Sequence, residues 1–143
     1  MNVEQILREK GATVATLSPQ ASIREAVQQL RRLGIGALVV SSDGETVEGI
    51  LSERDVVHTL AERGTDLLDL EVEQLMTRRV ITCSPRDSVA DLMAKMTARR
   101  IRHIPVLRDD RLAGIVSIGD VVKARLDEIE YEASSLRSFI VGA

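Results

Sequence analysis

The amino-acid sequence predicts an α/β fold written twice: two β-α-β-β-α units packed on each other about a pseudo-twofold axis, with a helical extension at the C-terminus. Three observations predict it. GILSERDVV, beginning at Gly49, returns as GIVSIGDVV, beginning at Gly114, and keeps the glycine, the serine and the aspartate. Thr16-Leu17-Ser18-Pro19 returns as Thr82-Cys83-Ser84-Pro85, and Val3-Glu4-Gln5 as Val72-Glu73-Gln74. Between these phrases, segments of helical periodicity alternate with short apolar runs bounded by turn residues. The duplication divides the chain into repeats at 3–63 and 72–127, a linker at 64–71 and a helical tail at 128–143. One repeat buries too little apolar surface to stand alone, so the two halves need each other.

Each element has a local reason. Val-Glu-Gln opens a short helix in both repeats, and short apolar stretches follow at 13–17 and 80–83. Ser22 with Glu25, and Ser88 with Asp91, are S-x-x-acid signals that start a longer helix. Ile23, Val27, Leu30 and Leu33 fall at helical spacing in the first of these, and Val89, Leu92, Met93 and Met96 in the second. Two strands should follow in each repeat, at 37–40 and 46–51 and at 104–107 and 112–116. Asp43-Gly44 marks the turn between the first pair. A further helix begins at Ser52 and at Ser117. The spacing between repeats drifts only in the segment around 11–13 and in the turn, where SSDGE faces RDDR. Loops tolerate such length changes.

The doubled phrase carries the chemistry. Gly-apolar-apolar ends a buried strand, and the glycine lets another group approach the backbone. Ser52 and Ser117 then cap a helix, with Asp55 and Asp120 at the third helical position, where a carboxylate completes a capping box. That role accounts for both pairs by itself. Glutamate reaches back to the cap more naturally than aspartate, however, and both copies use aspartate. A strand end that feeds a helix N-terminus also binds phosphate through free amides and the helix dipole. A carboxylate there can accept the hydroxyls of a ribose. Serine plus aspartate at this junction suits a nucleotide sugar.

Composition excludes several classes. With 44% hydrophobic and 29% charged residues the chain reads as an ordinary globular protein. No apolar run approaches the roughly 18–20 residues that cross a membrane. The start, MNVEQILREK, lacks the features of a signal peptide, and the single Cys83 cannot form an internal disulfide, so the expected location is cytoplasmic. A net charge of −3 and near-absence of aromatics argue against a nucleic-acid partner. Two histidines and one cysteine in unrelated elements offer no catalytic set, so an enzyme is not expected. His58 has no Cys or acid at metal-ligand spacing, and no metal site is expected.

G-h-h-S/T-x-x-D closing a β-α-β-β-α repeat, twice in tandem, resembles a pair of cystathionine-β-synthase (CBS) domains, the Bateman module. The LMT segment at 75–77 and the RHIPV strand at 102–106 belong to the same resemblance, which covers residues 3–126. GILSERDVV, RIRHIPV and GIVSIGDVVKARL together are similar to small stand-alone bacterial two-CBS signalling proteins. The resemblance implies clefts between the repeats that bind adenosine-containing ligands: AMP, ADP, ATP or NAD(H), with S-adenosylmethionine as the alternative. It implies ribose contacts from Asp55 and Asp120, and ribose or phosphate contacts from Ser52 and Ser117. Adenine contacts would come from the segments holding Thr16, Ile81 and Thr82. Phosphate contacts would come from Arg102 and His103 at the head of the Ile104-Pro105 strand. The first repeat has Gly36 and Ala37 where that basic pair stands, with Arg54 as a substitute, so the clefts should differ. No catalytic cofactor is implied. The module would signal to a protein effector, or serve as an interaction module without a ligand.

Other residues have plainer readings. Met76, Met93 and Met96 fill core, Cys83 is a small apolar strand residue, and Arg99 and Arg100 suit a helix C-terminus as solvated cations. Beyond Asp120 no glycine or proline interrupts the chain until Gly142. Val122, Leu126, Ile129, Ala133, Leu136 and Ile140 form a heptad-like stripe there. Either it folds back on the core or it contributes to a homodimer contact, and the homodimer is the expectation.

Overall fold

A computed structural model describes residues 1–142. Helix α1 (Val3–Lys10) precedes a two-residue strand β1 (Thr16–Leu17), helix α2 (Ile23–Leu33), strands β2 (Ala37–Val40) and β3 (Gly49–Ser52), and helix α3 (Glu53–Arg63). A 3-10 segment (Gly64–Asp69) leads to the second repeat: α4 (Val72–Leu75), α5 (Val89–Arg99), β4 (His103–Arg108), β5 (Arg111–Ser117) and the long α6 (Ile118–Gly142). In the first half β1 runs parallel to β2, which pairs antiparallel with β3; in the second, β4 and β5 form an antiparallel pair. The mixed α/β architecture is the one the sequence predicts. No helix among the described residues is long and apolar enough to cross a membrane.

Caps set the helix starts. Ser22 and Ser88 accept from the amides of Glu25 and Asp91 at 3.1 and 3.0 Å. The repeated Val-Glu-Gln is also explained. Gln5 and Gln74 each reach back to the amide before their helix, at Asn2 (2.8 Å) and Glu71 (2.9 Å), as the N3 member of a capping box. Val3 and Val72 meanwhile are fully buried.

One expected strand is shorter than the apolar pattern predicts, and another is reduced to an isolated bridge. The expected strand at 46–51 begins only at Gly49. Asp43 Oδ1 accepts the amides of Glu45 and Thr46 at 2.8 and 2.7 Å, which holds those residues in a turn. That concentration of donors also pulls the Asp43 carboxyl below the ordinary range. Residues 80–83 form no strand, only a single parallel bridge between Cys83 and Val106, while Val80 and Ile81 line a cleft.

The core is where the sequence order and the fold part company. Val3, Ile6 and Leu7 of α1 pack with Val89, Leu92, Met96, Ile104 and Val116 of the second half. Val72 and Met76 pack with Ile23, Leu30, Leu38 and Leu51 of the first. Each repeat's entry helix thus completes the other repeat's core. Backbone hydrogen bonds fix the exchange: the amides of Val3 and Glu4 donate to the carbonyls of Asp87 and Pro85, and those of Val72 and Glu73 to Ala21 and Pro19. The glycine of the doubled phrase serves this contact. A Cβ on Gly49 would stand 2.5 Å from Sδ of Met76, and one on Gly114 would stand 2.6 Å from Cδ2 of Leu7. Any larger residue would force the Met76 or Leu7 side chain to move aside.

Candidate functional site

The doubled Ser-x-x-Asp forms the capping box its spacing predicts, in both halves. The Ser52 amide donates to Asp55 Oδ2 at 2.9 Å, and the Asp55 amide donates to Ser52 Oγ at 3.3 Å. The Ser117 amide donates to Asp120 Oδ2 at 2.9 Å, and the Asp120 amide to Ser117 Oγ at 3.2 Å. Each box therefore stands at a strand-to-helix junction with its aspartate already oriented. What surrounds the two boxes differs.

The first cleft, of about 210 Å³, is lined by Ser52, Glu53, Arg54 and Asp55 of the first repeat and by Arg79, Ile81, Arg100, Arg102 and His103 of the second, among others. Four arginines face two carboxylates, and none of the four joins a salt bridge among the described residues. Arg54 reaches across the halves to donate to the Arg100 carbonyl at 3.1 Å. Arg100 closes α5 in the left-handed conformation, φ 53°, which turns the chain toward β4 and the cleft. The second cleft, of about 490 Å³, is lined by Ser117 and Ile115 of the second repeat and by Lys10, Val14, Ala15, Gly36 and Ala37 of the first, among others. Here Lys10 Nζ donates to Asp120 Oδ2 at 2.7 Å and to the Ile115 carbonyl at 2.8 Å. Burial alone would raise the Asp120 carboxyl, but Lys10 and the Ser117 donors together hold it below the ordinary value.

Each cleft thus draws its Ser-Asp pair from one repeat and its opposite wall from the other. Asp55 meets Arg102 and His103, while Asp120 faces the Gly36 and Ala37 side. His103 lines both clefts. Space for it comes from Gly36, where a Cβ would lie 2.7 Å from Glu53 Oε1 and 3.0 Å from the imidazole. Burial lowers the His103 pKa; Glu53 opposes that shift.

Of the residues singled out from the sequence, Ser52, Arg54, Asp55, Ile81, Arg102 and His103 come together in the first cleft, and Ser117 lines the second. Asp120 adjoins the second through Lys10. Thr16 and Thr82 are half-buried and line neither cleft, and Ile104 and Pro105 are buried, Ile104 in the second half's core. The sequence motifs do not point to Arg79 or Lys10 as site residues, and Arg100 reads there only as a solvated cation. Lys10 and Arg79 stand at the same spacing as the two Val-Glu-Gln phrases, so the repeat itself held the signal for that pair.

The CBS domain profile matches residues 3–62 and 72–127. The chain belongs to the CBS domain family. Two solved CBS structures share its fold. A CBS-domain protein of Agrobacterium tumefaciens is 45% identical, with a TM-score of 0.84, over 87% of this chain and 99% of that one. The CBS domain pair of protein MJ0100, in complex with 5′-methylthioadenosine and S-adenosyl-L-methionine, is 28% identical, with a TM-score of 0.78, over 90% of this chain and 98% of that one. The CBS domain-containing protein CBSX3, mitochondrial, of Arabidopsis thaliana is 38% identical over 125 residues, which cover 85% of this chain and 61% of that relative's length.

Proposed function

We propose that this CBS pair is a cytoplasmic, non-catalytic regulatory module that binds a phosphate-bearing adenosine nucleotide in the first cleft. The class comprises AMP, ADP, ATP and NAD(H). The observation that carries this reading is the convergence of Arg54, Arg79, Arg100 and Arg102 on a cleft that also holds the oriented Asp55. Asp55 accepts from Ser52 through Oδ2, and no donor among the described residues engages its Oδ1, which suits a ribose hydroxyl. Arginine forks suit phosphate oxygens. The nucleotide's charge would draw the two repeats together across the cleft, and the altered surface would be offered to a protein effector by a homodimer.

A second reading rests on a different cleft. The pocket beside Asp120 holds one cation, already paired, and so favours an adenosyl ligand without phosphate. The MJ0100 pair was solved with such ligands. S-adenosylmethionine is therefore the alternative for the second cleft.

A thermal-shift and calorimetric panel of AMP, ADP, ATP, NADH, adenosine and S-adenosylmethionine tests both. A ligand at 100 times its Kd should stabilise the fold by about 2.7 kcal/mol. The first reading expects ATP, ADP or NADH to bind more tightly than adenosine. Equal binding of adenosine and ATP, or turnover of either nucleotide, would overturn it. No binding at all would leave an interaction module.

A further inference from the structure

The last four turns of α6 stand clear of the module. Val121 and Ala124 are buried against the second half's core, but every residue from Ile129 to Gly142 is exposed. The heptad stripe is therefore not folded back. Val122, Leu126, Ile129, Leu136 and Ile140 are 43, 55, 48, 60 and 70% exposed, all on one face of the helix. With Leu126 and Ala133 at a, and Ile129 and Leu136 at d, the flanking e positions are Lys123, Glu130 and Arg137, and the g positions are Arg125, Glu132 and Phe139.

Those flanks decide the partner and its direction. In a parallel, in-register pair each g residue faces the e residue five positions on in the other chain. Arg125 then faces the partner's Glu130, and Glu132 faces the partner's Arg137. Symmetry doubles both, so every charged flank from 125 to 137 meets its opposite. In a fully overlapped antiparallel pair Glu130 meets Glu130, Glu132 meets Glu132, and Lys123 meets Arg137. All three juxtapositions are repulsive. Arg125 is at present held only by an i,i+3 contact to Glu128 at 3.4 Å and is free to turn outward. Tyr131 falls at f, away from the seam, whereas Phe139 at g flanks it.

We infer that the tail of α6 is a parallel, in-register coiled-coil seam whose occupant is a second copy of this chain. The inference rests on the homodimer reading above and adds its geometry: the two modules are carried at the same end of the paired helices, related by a twofold axis along the seam.

Single cysteines placed along the stripe test this in the full chain. Native Cys83 is buried with its thiol pushed up to about 12, so it does not compete for oxidation. In a parallel seam Leu136→Cys and Ile129→Cys each put two thiols in the same layer and form self-disulfides under mild oxidant. Ser134→Cys, at b, does not. A mixture of Leu126→Cys and Leu136→Cys proteins that cross-links only between the two variants would show an antiparallel seam and overturn the inference. A chain that remains dimeric by light scattering while neither d-position variant cross-links would also overturn the seam, with the homodimer intact. A monomer would overturn both. Glu130→Arg should weaken the dimer about tenfold, and adding Arg125→Glu should restore it. Absence of that rescue counts against the parallel register.

Discussion

The two clefts are built to one plan and furnished differently. Around Asp55 the opposite wall supplies Arg79, Arg100, Arg102 and His103; around Asp120 it supplies Gly36, Ala37 and a lysine that already holds the carboxylate. The frame of strand, cap and acid is the same to within a few tenths of an ångström in its hydrogen bonds. The charge is not. Because each cleft takes its acid from one repeat and its far wall from the other, a substitution in one repeat re-equips the opposite repeat's aspartate. Duplication thus supplies two equivalently oriented carboxylates, and a handful of wall positions decides how much positive charge each of them faces.

The sharpest way to break the comparison is to remove each acid in turn. Asp55→Ala should cost nucleotide binding roughly 1.5–3 kcal/mol, the scale of a hydrogen bond to a charged group, while the apo fold loses about 1 kcal/mol from the weakened cap. Asp120→Ala should leave ATP binding nearly unchanged. Titration calorimetry and thermal melts of both variants decide it, and equal losses would erase the distinction between the clefts.

Next in size is the arginine wall of the first cleft. Arg102→Ala should weaken ATP about tenfold and adenosine hardly at all, because one charge-assisted contact is lost from the phosphates alone. Wild-type ATP affinity should fall as salt rises from 50 to about 300 mM, since exposed charges are then screened, whereas adenosine affinity should not. A parallel loss for both ligands would put Arg102 away from the phosphate.

A smaller effect is expected at Lys10. Lys10→Met releases Asp120, so adenosine or S-adenosylmethionine binding in the second cleft should strengthen several-fold. The Asp120 carboxyl is held below its unfolded value of 3.8, so the stability it contributes is present above that pH and is lost as pH falls through the lowered value. Without Lys10 that loss begins at higher pH. Acid-unfolding curves of the two proteins, compared side by side, would show the variant failing first; coincident curves would mean the ion pair is without consequence.

The smallest effect belongs to His103. Burial keeps it neutral in the folded protein, so below about pH 6.5 the unfolded chain takes up a proton that the folded chain refuses, and stability falls toward the lowered value. A phosphate in the first cleft should reverse the preference, joining Glu53 and Asp120 against the burial and the Lys10 and Arg102 charges. ATP affinity should therefore rise modestly from pH 7.5 to 6, with proton uptake measurable in buffers of different ionisation heat. Binding without proton uptake would place the phosphates beyond the imidazole.

Much of the fold was legible because its signals are short-range. Ser22, Ser88, Ser52 and Ser117 cap helices with groups three residues away, and those contacts are written in sequence order. The cross-half arrangement was not legible. Nothing local in Val3-Glu4-Gln5 says that Val3 packs on Val89 rather than on Ile23, since either core offers the same apolar chemistry. The meeting of Asp55 and Arg102 in one cleft is a contact between the halves of the same kind, and it was hidden for the same reason. Arg100 read as an ordinary cation at a helix C-terminus, because only the left-handed turn that follows the helix aims the chain into the cleft.

The exchanged entry helices carry a consequence for each half on its own. A single repeat leaves Leu38, Leu51 and Ile23 without the Val72–Met76 cover, or Val89, Ile104 and Val116 without α1. A chain with one repeat would accordingly need a second copy to cover its core, each lending its first helix to the other, and in the tandem chain that loan is internal. Residues 1–64 and 65–142, produced as separate polypeptides, should be unfolded alone and should recover the circular dichroism of the intact module when mixed. Fragments that fold independently would overturn that dependence.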